Sequence, residues 1–228
     1  MKQIAHRGLS SQAPENTIAS FNLAAQSEHF YGIECDIYTT KDHQFVVFHD
    51  EDLKRMAKHP ISIMDSTYEE ISSYPIKSGI KIKSYPHQTI PKLTDYLDIC
   101  ETYQKAAVIE LKKVHEMEQL TDLLDILENY PTVEKIIISF NLSYLKYMRS
   151  ISDIELQFLT EKVTDSLIYD LRVNHIDFSI NQASAKPNLI AKLKKKGFKI
   201  AIYTVNNKYQ ARRLAKLGID YITTDKVL

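Results

Sequence analysis

The sequence predicts a (β/α)8 barrel with a small insertion after its second strand region, and three observations carry that reading. Short β-branched runs alternate with amphipathic helical stretches along the whole chain of 228 residues, the pattern of parallel strands joined by crossover helices. About eight such units fit, the number a closed barrel needs, although the usual ~250 residues make this a compact version. The rival, an open doubly wound sheet, is disfavoured because no G-x-G-x-x-G follows the first strand and the chain holds only five glycines. The expected organisation is one barrel domain over 1–228, with 51–90 as the insertion.

The elements follow in order. A strand over Gln3–His6 runs straight into His6-Arg7-Gly8, and Pro14-Glu15-Asn16-Thr17 leads into a helix over Thr17–Ser27 with Asn16 as its candidate N-cap. Strands are expected at Ile33–Tyr38 and Phe45–His49. The rhythm then breaks. Glu51–Ile90 carries Pro60, Pro75 and Pro86 and shows no strong strand or long helix. At roughly forty residues it is too long for an ordinary loop, so it reads as an insertion that packs on itself, placed directly after His49-Asp50. Alternation resumes with the helix Lys92–Tyr103 and the strand Ala106–Leu111, then Glu116–Asn129 and Lys135–Ser139. Asn141–Arg149, capped by Asn141, precedes Glu155–Leu159, and Thr164–Arg172 precedes Ile176–Ser179. Pro187–Lys196, Lys199–Val205, Asn207–Leu217 and Tyr221–Thr223 complete the set, with Gly197 and Gly218 where a left-handed residue should end a helix.

Composition excludes several function classes. Lys plus Arg balance Asp plus Glu at 29 each, which leaves no bulk basic footprint for a phosphate backbone and argues against a nucleic-acid partner. Cys35 and Cys100 form no C-x-x-C and no zinc spacing, so two buried free thiols are expected. The start lacks a basic-then-apolar leader pattern, and no stretch approaches the ~20 apolar residues that span a bilayer. The expectation is a soluble cytoplasmic protein with no membrane insertion; nothing in the sequence bears on its oligomeric state.

The chemistry concentrates at strand ends. Within "GIECDI" the strand period of two puts Glu34 and Asp36 on one face and Ile33, Cys35 and Ile37 on the other. Strands of a parallel barrel are normally apolar on both faces, and two adjacent carboxylates there repel and lose hydration unless something neutralises them. A hard divalent cation with oxygen ligands would do so; a solvated edge strand is the alternative. In "VIELKK" Glu110 and Lys112 again share a face. Alone they would be a plain ion pair. Beside Glu34 and Asp36 they look like a third metal carboxylate and a cation for a phosphate oxygen, at the rim where barrel active sites lie. His6 and His49 both end strand runs near this acidic cluster and can divide general acid and base work near neutral pH. Arg7 offers a guanidinium fork for an anionic oxygen pair. Asn16 either serves the site or caps the helix. No G-x-S-x-G is present, and no cysteine stands in a nucleophile setting.

These pieces together resemble the glycerophosphodiester phosphodiesterases, a (β/α)8 group related in fold to phosphatidylinositol-specific phospholipase C. The resemblance rests on His6-Arg7-Gly8 with Pro14-Glu15-Asn16-Thr17, Glu34-x-Asp36, "VVFHD" at Val46–Asp50, "IELK" at Ile109–Lys112, "YTVN" at Tyr203–Asn206 and "ITTD" at Ile222–Asp225. They follow the family's order from one end of the chain to the other, and the excursion after His49 looks like its insertion. The resemblance implies metal-dependent hydrolysis of a small-molecule glycerophosphodiester to glycerol 3-phosphate and an alcohol. It implies one divalent ion, Mg²⁺ or Ca²⁺ with Mn²⁺ as a further option, held by Glu34, Asp36 and Glu110. His6 and His49 would be the acid/base pair of a route through a cyclic phosphate, and Arg7 and Lys112 would bind the phosphate. Tyr203 stands where the family usually has tryptophan, which bears on the pocket wall, and Asp42-His43 replaces its Asp-Gly turn. Three alternatives are a lysophospholipid-cleaving relative, an enzyme that stops at the cyclic phosphate, and a silent phosphate-binding barrel.

Overall fold

A computed structural model describes residues 1–228. The strands are β1 (Lys2–Ala5), β2 (Gly32–Thr39), β3 (Phe45–Val47), β4 (Ala106–Lys113), β5 (Lys135–Ser139), β6 (Glu155–Thr160), β7 (Asp177–Asn181), β8 (Ile200–Tyr203) and β9 (Tyr221–Thr224). All but β3 run parallel in the order β1-β2-β4-β5-β6-β7-β8-β9, and β9 pairs back onto β1. Eight parallel strands thus form a closed (β/α)8 barrel without a free edge. The surrounding helices are α1 (Ile18–Ala25), α2 (Lys54–Ala57), α3 (Tyr68–Ser72), α4 (Leu93–Thr102), α5 (Gln119–Glu128), α6 (Leu142–Ile151), α7 (Asp165–Val173), α8 (Pro187–Lys195) and α9 (Lys208–Lys216).

Side-chain alternation divides the core. Ile33, Cys35, Ile37, Ile109 and Ile137 face outward into a cluster of 41 buried residues shared with the helices. Ile4, Val108, Ile136, Ile138, Leu159, Ala201 and Tyr221 form the smaller interior of the barrel. Cys35 and Cys100 are buried free thiols, and no helix is long and apolar enough to cross a membrane.

Two local expectations are corrected. Phe45–His49 does not supply a barrel strand: Phe45–Val47 pairs antiparallel with β2, Ile37 opposite Val47 and Thr39 opposite Phe45. A parallel crossover needs a dozen or more residues, whereas only Thr40–Gln44 separate these runs, enough for a hairpin alone. β1 reaches only Ile33 of β2, so β3 covers the edge left open above it. In that hairpin His43 adopts φ 61, a left-handed conformation that glycine takes without strain. The second correction concerns α1, whose cap is Thr17: its hydroxyl accepts from Ser20 N while the Ser20 hydroxyl accepts from Thr17 N.

Between β3 and α4 the excursion Glu51–Ile90 contains α2 and α3. It buries Leu53, Met56, Ala57, Ile63, Ile71 and Ile76 together with Tyr38, Val46 and Phe48. Each large aliphatic side chain removed from water contributes ~1.5–3 kcal/mol, so this small core fastens the excursion onto the β2–β3 hairpin.

Candidate active site

Glu34 and Asp36 point into the barrel because their neighbours Ile33, Cys35 and Ile37 point out. Asp36 is the direct register partner of Glu110 on β4, one strand layer above the apolar interior at Val108. Oxygens of all three carboxylates lie within 4.8 Å of one another, and the residues are 1%, 0% and 9% exposed. Burial, reinforced by the Asp36 charge, pushes Glu34 up to about 8. The same two causes raise Glu110. Burial also opposes ionisation of Asp36, but Arg7 and Lys112 beside it hold its carboxyl below the usual range.

The cations are placed by the same strand ends. Arg7 Nε stands 3.1 Å from Asp36 Oδ2, and the Arg7 backbone N–H donates to Glu34 Oε2 at 2.8 Å. Lys112 Nζ donates to Glu110 Oε1 at 2.8 Å and lies 3.5 Å from Asp36 Oδ1. Arg7 reaches this position through a left-handed backbone, φ 55, followed by Gly8 at φ 79. A Cβ on Gly8 would lie 2.6 Å from the Ser20 carbonyl carbon, so only glycine lets the turn press against α1. Asn16, also left-handed at φ 54, donates from Nδ2 to Asp36 Oδ2 at 2.8 Å. Its amide therefore holds Asp36, and the helix cap is left to Thr17.

The donor set fits a hard divalent ion. It is all oxygen, and buried Asp36 Oδ1 accepts no hydrogen bond, beside two carboxylates whose ionisation burial opposes.

His6 follows the last residue of β1, and His49 lies two residues beyond β3. Each ring is held through Nδ1. His6 Nδ1 is 2.6 Å from Asp225 Oδ1, and His49 Nδ1 is 2.8 Å from Asp50 Oδ1. Their environments differ. Burial disfavours the His6 imidazolium, yet the Asp225 hydrogen bond and the Glu34 charge outweigh it and raise the pKa. For His49 burial wins, helped by Arg7 and Lys112 and opposed by Asp36 and Asp50, and the pKa is lowered.

His6, Arg7, Glu34, His49, Glu110 and Lys112 line one cavity of about 220 Å³ at the C-terminal mouth of the barrel. Its other wall holds Ile138, Phe140, Leu159 and Tyr203, with Phe140 and Tyr203 edge to face at 6.1 Å. A larger hollow of about 510 Å³ lies on the flank between α7 and α8, lined by Arg172, Lys192, Lys195 and Lys196. It contains neither a histidine nor a carboxylate cluster. None of the other six histidines lines the mouth cavity.

The sequence reading assigned no role to Asp225, Asn206, Asp50 or Glu15. Asn206 donates from Nδ2 to Asp225 Oδ2, and its Oδ1 accepts from Asp225 N at 2.8 Å. Glu15 accepts from Arg7 Nη1 at 2.9 Å. A carboxylate next to a strand-end histidine, as in His49-Asp50, was the available signal; the Asp225 contact spans too much chain to be read locally.

Residues 6–228 match the profile of the Glycerophosphoryl diester phosphodiesterase family. A glycerophosphodiester phosphodiesterase of Caldanaerobacter subterraneus subsp. tengcongensis is 31% identical over 97% of this chain and 93% of its own. One from Bacillus altitudinis is 28% identical over 98% and 94%. Among solved structures, an Oleispira antarctica phosphodiesterase in complex with the product sn-glycerol-3-phosphate is 26% identical. It superposes with a TM-score of 0.92 over 100% of this chain and 94% of its own.

Proposed function

From the fact that the chain belongs to the glycerophosphoryl diester phosphodiesterase family, we propose that it cleaves glycerophosphodiesters to glycerol 3-phosphate and an alcohol at the cavity described above. The observation that carries this is the convergence of the three carboxylates, the two carboxylate-held histidines, Arg7 and Lys112 on one mouth. The product bound by the Oleispira relative is the fragment this reaction would release.

Glu34, Asp36 and Glu110 would hold one divalent ion, with Mg²⁺, Ca²⁺ and Mn²⁺ all suited to oxygen donors. Such an ion supplies Lewis-acid neutralisation of phosphate charge. Arg7 and Lys112 bind the remaining phosphate oxygens. With Nδ1 of each histidine held by a carboxylate, Nε2 is the nitrogen left for proton transfer. The opposite pKa shifts favour His49 as the base and His6 as the acid. His49 takes the proton of the glycerol hydroxyl next to the phosphoester. That oxygen bonds to phosphorus, the bond to the alcohol breaks, and His6 protonates the departing oxygen. Water then opens the cyclic phosphate with the histidine roles reversed.

A lysophospholipid substrate would want an apolar track on the excursion. Ile63 and Ile71 are instead buried within its own core and Ile61, Met64 and Ile82 pack against it; Ile80 alone is well exposed. This supports a water-soluble diester. The test is release of glycerol 3-phosphate from glycerophosphocholine with Mg²⁺, Ca²⁺ or Mn²⁺, beside an analogue whose adjacent hydroxyl is replaced by hydrogen. The analogue should inhibit without turning over. Its brisk hydrolysis would rule out the cyclic route.

A further inference from the structure

Arg55 lies outside the cavity, on α2 of the excursion, yet it joins the two sides of the site. Its Nε donates to Asp50 Oδ2 at 2.6 Å, and its Nη2 donates to Glu15 Oε1, also at 2.6 Å. Asp50 uses its other oxygen to hold His49 Nδ1 at 2.8 Å. Glu15 Oε1 is shared with Arg7 Nη1 at 2.9 Å. A continuous chain therefore runs His49–Asp50–Arg55–Glu15–Arg7.

We propose that Arg55 is a positioning residue, through which the excursion sets the orientation of His49 and Arg7 together. This rests on the reading of those two residues as base and phosphate ligand.

The physical argument concerns geometry more than charge. Asp50 sits on a bend directly after His49 and outside any strand or helix, so its own backbone does not fix its carboxylate. A carboxylate held by one histidine alone can rotate about its side-chain torsions. Pinning Oδ2 by a planar guanidinium leaves Oδ1 one direction in which to meet the ring. The same rigid fork places Glu15, whose oxygen takes one Arg7 nitrogen while Arg7 Nε faces Asp36. Both acids are held below their ordinary range: in each case burial opposes this and the Arg55 hydrogen bond is the largest cause favouring it. The Arg55 side chain is 46% exposed, so screening weakens its Coulomb attraction and leaves the directional bonds as its main effect. Its anchorage is firm, since Leu53, Met56 and Ala57 on either side are buried in the excursion core. Lysine cannot replace it, because an ammonium does not present two fixed donors to two carboxylates.

The test compares R55Q, R55K, D50N and the double variant R55Q/D50N with the unsubstituted protein, using glycerophosphocholine and saturating divalent ion. Misplacing a reacting group by about 1 Å costs on the order of 10²-fold. R55Q should lose kcat by about that factor with KM raised only several-fold, and R55K should recover little. The double variant should lose far less kcat than the product of the two single losses, because both changes act on His49 and only the Arg7 branch adds to it. A merely structural role would give multiplicative losses and a lowered Tm. A second readout does not require turnover: long-range ¹H–¹⁵N spectra at about pH 8, with the His49 ring assigned from H49Q. The unsubstituted protein should show the single tautomer protonated at Nδ1, and R55Q a mixture. If the unsubstituted protein releases no glycerol 3-phosphate while R55Q alters the tautomer, the functional reading fails and the positioning role stands. Wild-type kcat in R55Q, or an unchanged His49 tautomer, would overturn the positioning role itself.

Discussion

Asp225 and His6, 219 positions apart in the chain, meet at 2.6 Å through Oδ1 and Nδ1. The contact exists because the barrel closes: β9 pairs with β1 in register, Ala5 beside Thr224, so the residues following both strands emerge side by side. Asn206 on the loop after β8 fixes the second Asp225 oxygen.

Asp225→Asn should therefore reorient His6 and remove the charge that favours its imidazolium. Loss of a positioned acid or base is worth ~10²–10⁴-fold, and kcat should fall within that range. The pH–kcat limb belonging to His6 should move to lower pH, because the hydrogen bond and charge of Asp225 both raise its pKa. A profile with an unshifted limb would remove Asp225 from this role.

The two histidines should separate with an activated leaving group. With glycerophosphocholine, His6→Ala and His49→Ala should each lose ~10²–10⁴-fold. With a glycerophospho-p-nitrophenyl diester, whose leaving group needs no proton, His6→Ala should recover most of its rate of first-turnover p-nitrophenol release, the ring-opening step staying slow, and His49→Ala should not. The reverse pattern would exchange their roles as acid and base.

Chelation should abolish activity and added Mg²⁺, Mn²⁺ or Ca²⁺ restore it. Ion at 100-fold above its Kd should stabilise the fold by ~2.7 kcal/mol, a Tm rise of roughly 5–10 °C for a chain of this size. Glu34→Gln, Asp36→Asn and Glu110→Gln should each weaken binding in calorimetric titration and lessen that rise. Full turnover in exhaustively chelated protein would defeat the metal reading.

Without divalent ions the fold should be more stable near pH 5 than near pH 8. Glu34 is raised from 4.5 to about 8. Across that window the native state keeps a proton that the unfolded chain has released, and stability falls as pH rises. Raised Glu110 and His6 act in the same direction, and only lowered His49 acts against them. The lowered acids Asp36, Asp50, Glu15 and Asp225 add their full stabilisation above the unfolded carboxylate range. Thermal melts from pH 5 to 8 should show the decline, Glu34→Gln should flatten it, and a rising curve would contradict the protonation state assigned to Glu34.

The sequence by itself determined the barrel and the composition of its mouth. Strand period two placed Glu34 with Asp36 and set Glu110 beside Lys112, because alternation is a property of any extended backbone. Helix–strand alternation implied parallel order, and the observed register brought Asp36 level with Glu110. Asn16 shows where such reading stops: a capping residue and a site residue look alike before Pro14-Glu15-Asn16-Thr17, and only a left-handed backbone at Asn16 turns its amide to Asp36. The Phe45–His49 run illustrates a second limit, since composition marks a strand but pairing partners mark its direction. Tertiary structure alone decided which carboxylate holds His6 and which cation crosses from Asp50 to Glu15. Those contacts join β1 to the loop after β9, and the excursion to the loop before α1, so they depend on closure of the ring and on the packing of Leu53, Met56 and Ile63 against Tyr38 and Phe48. Local periodicity carries no record of either.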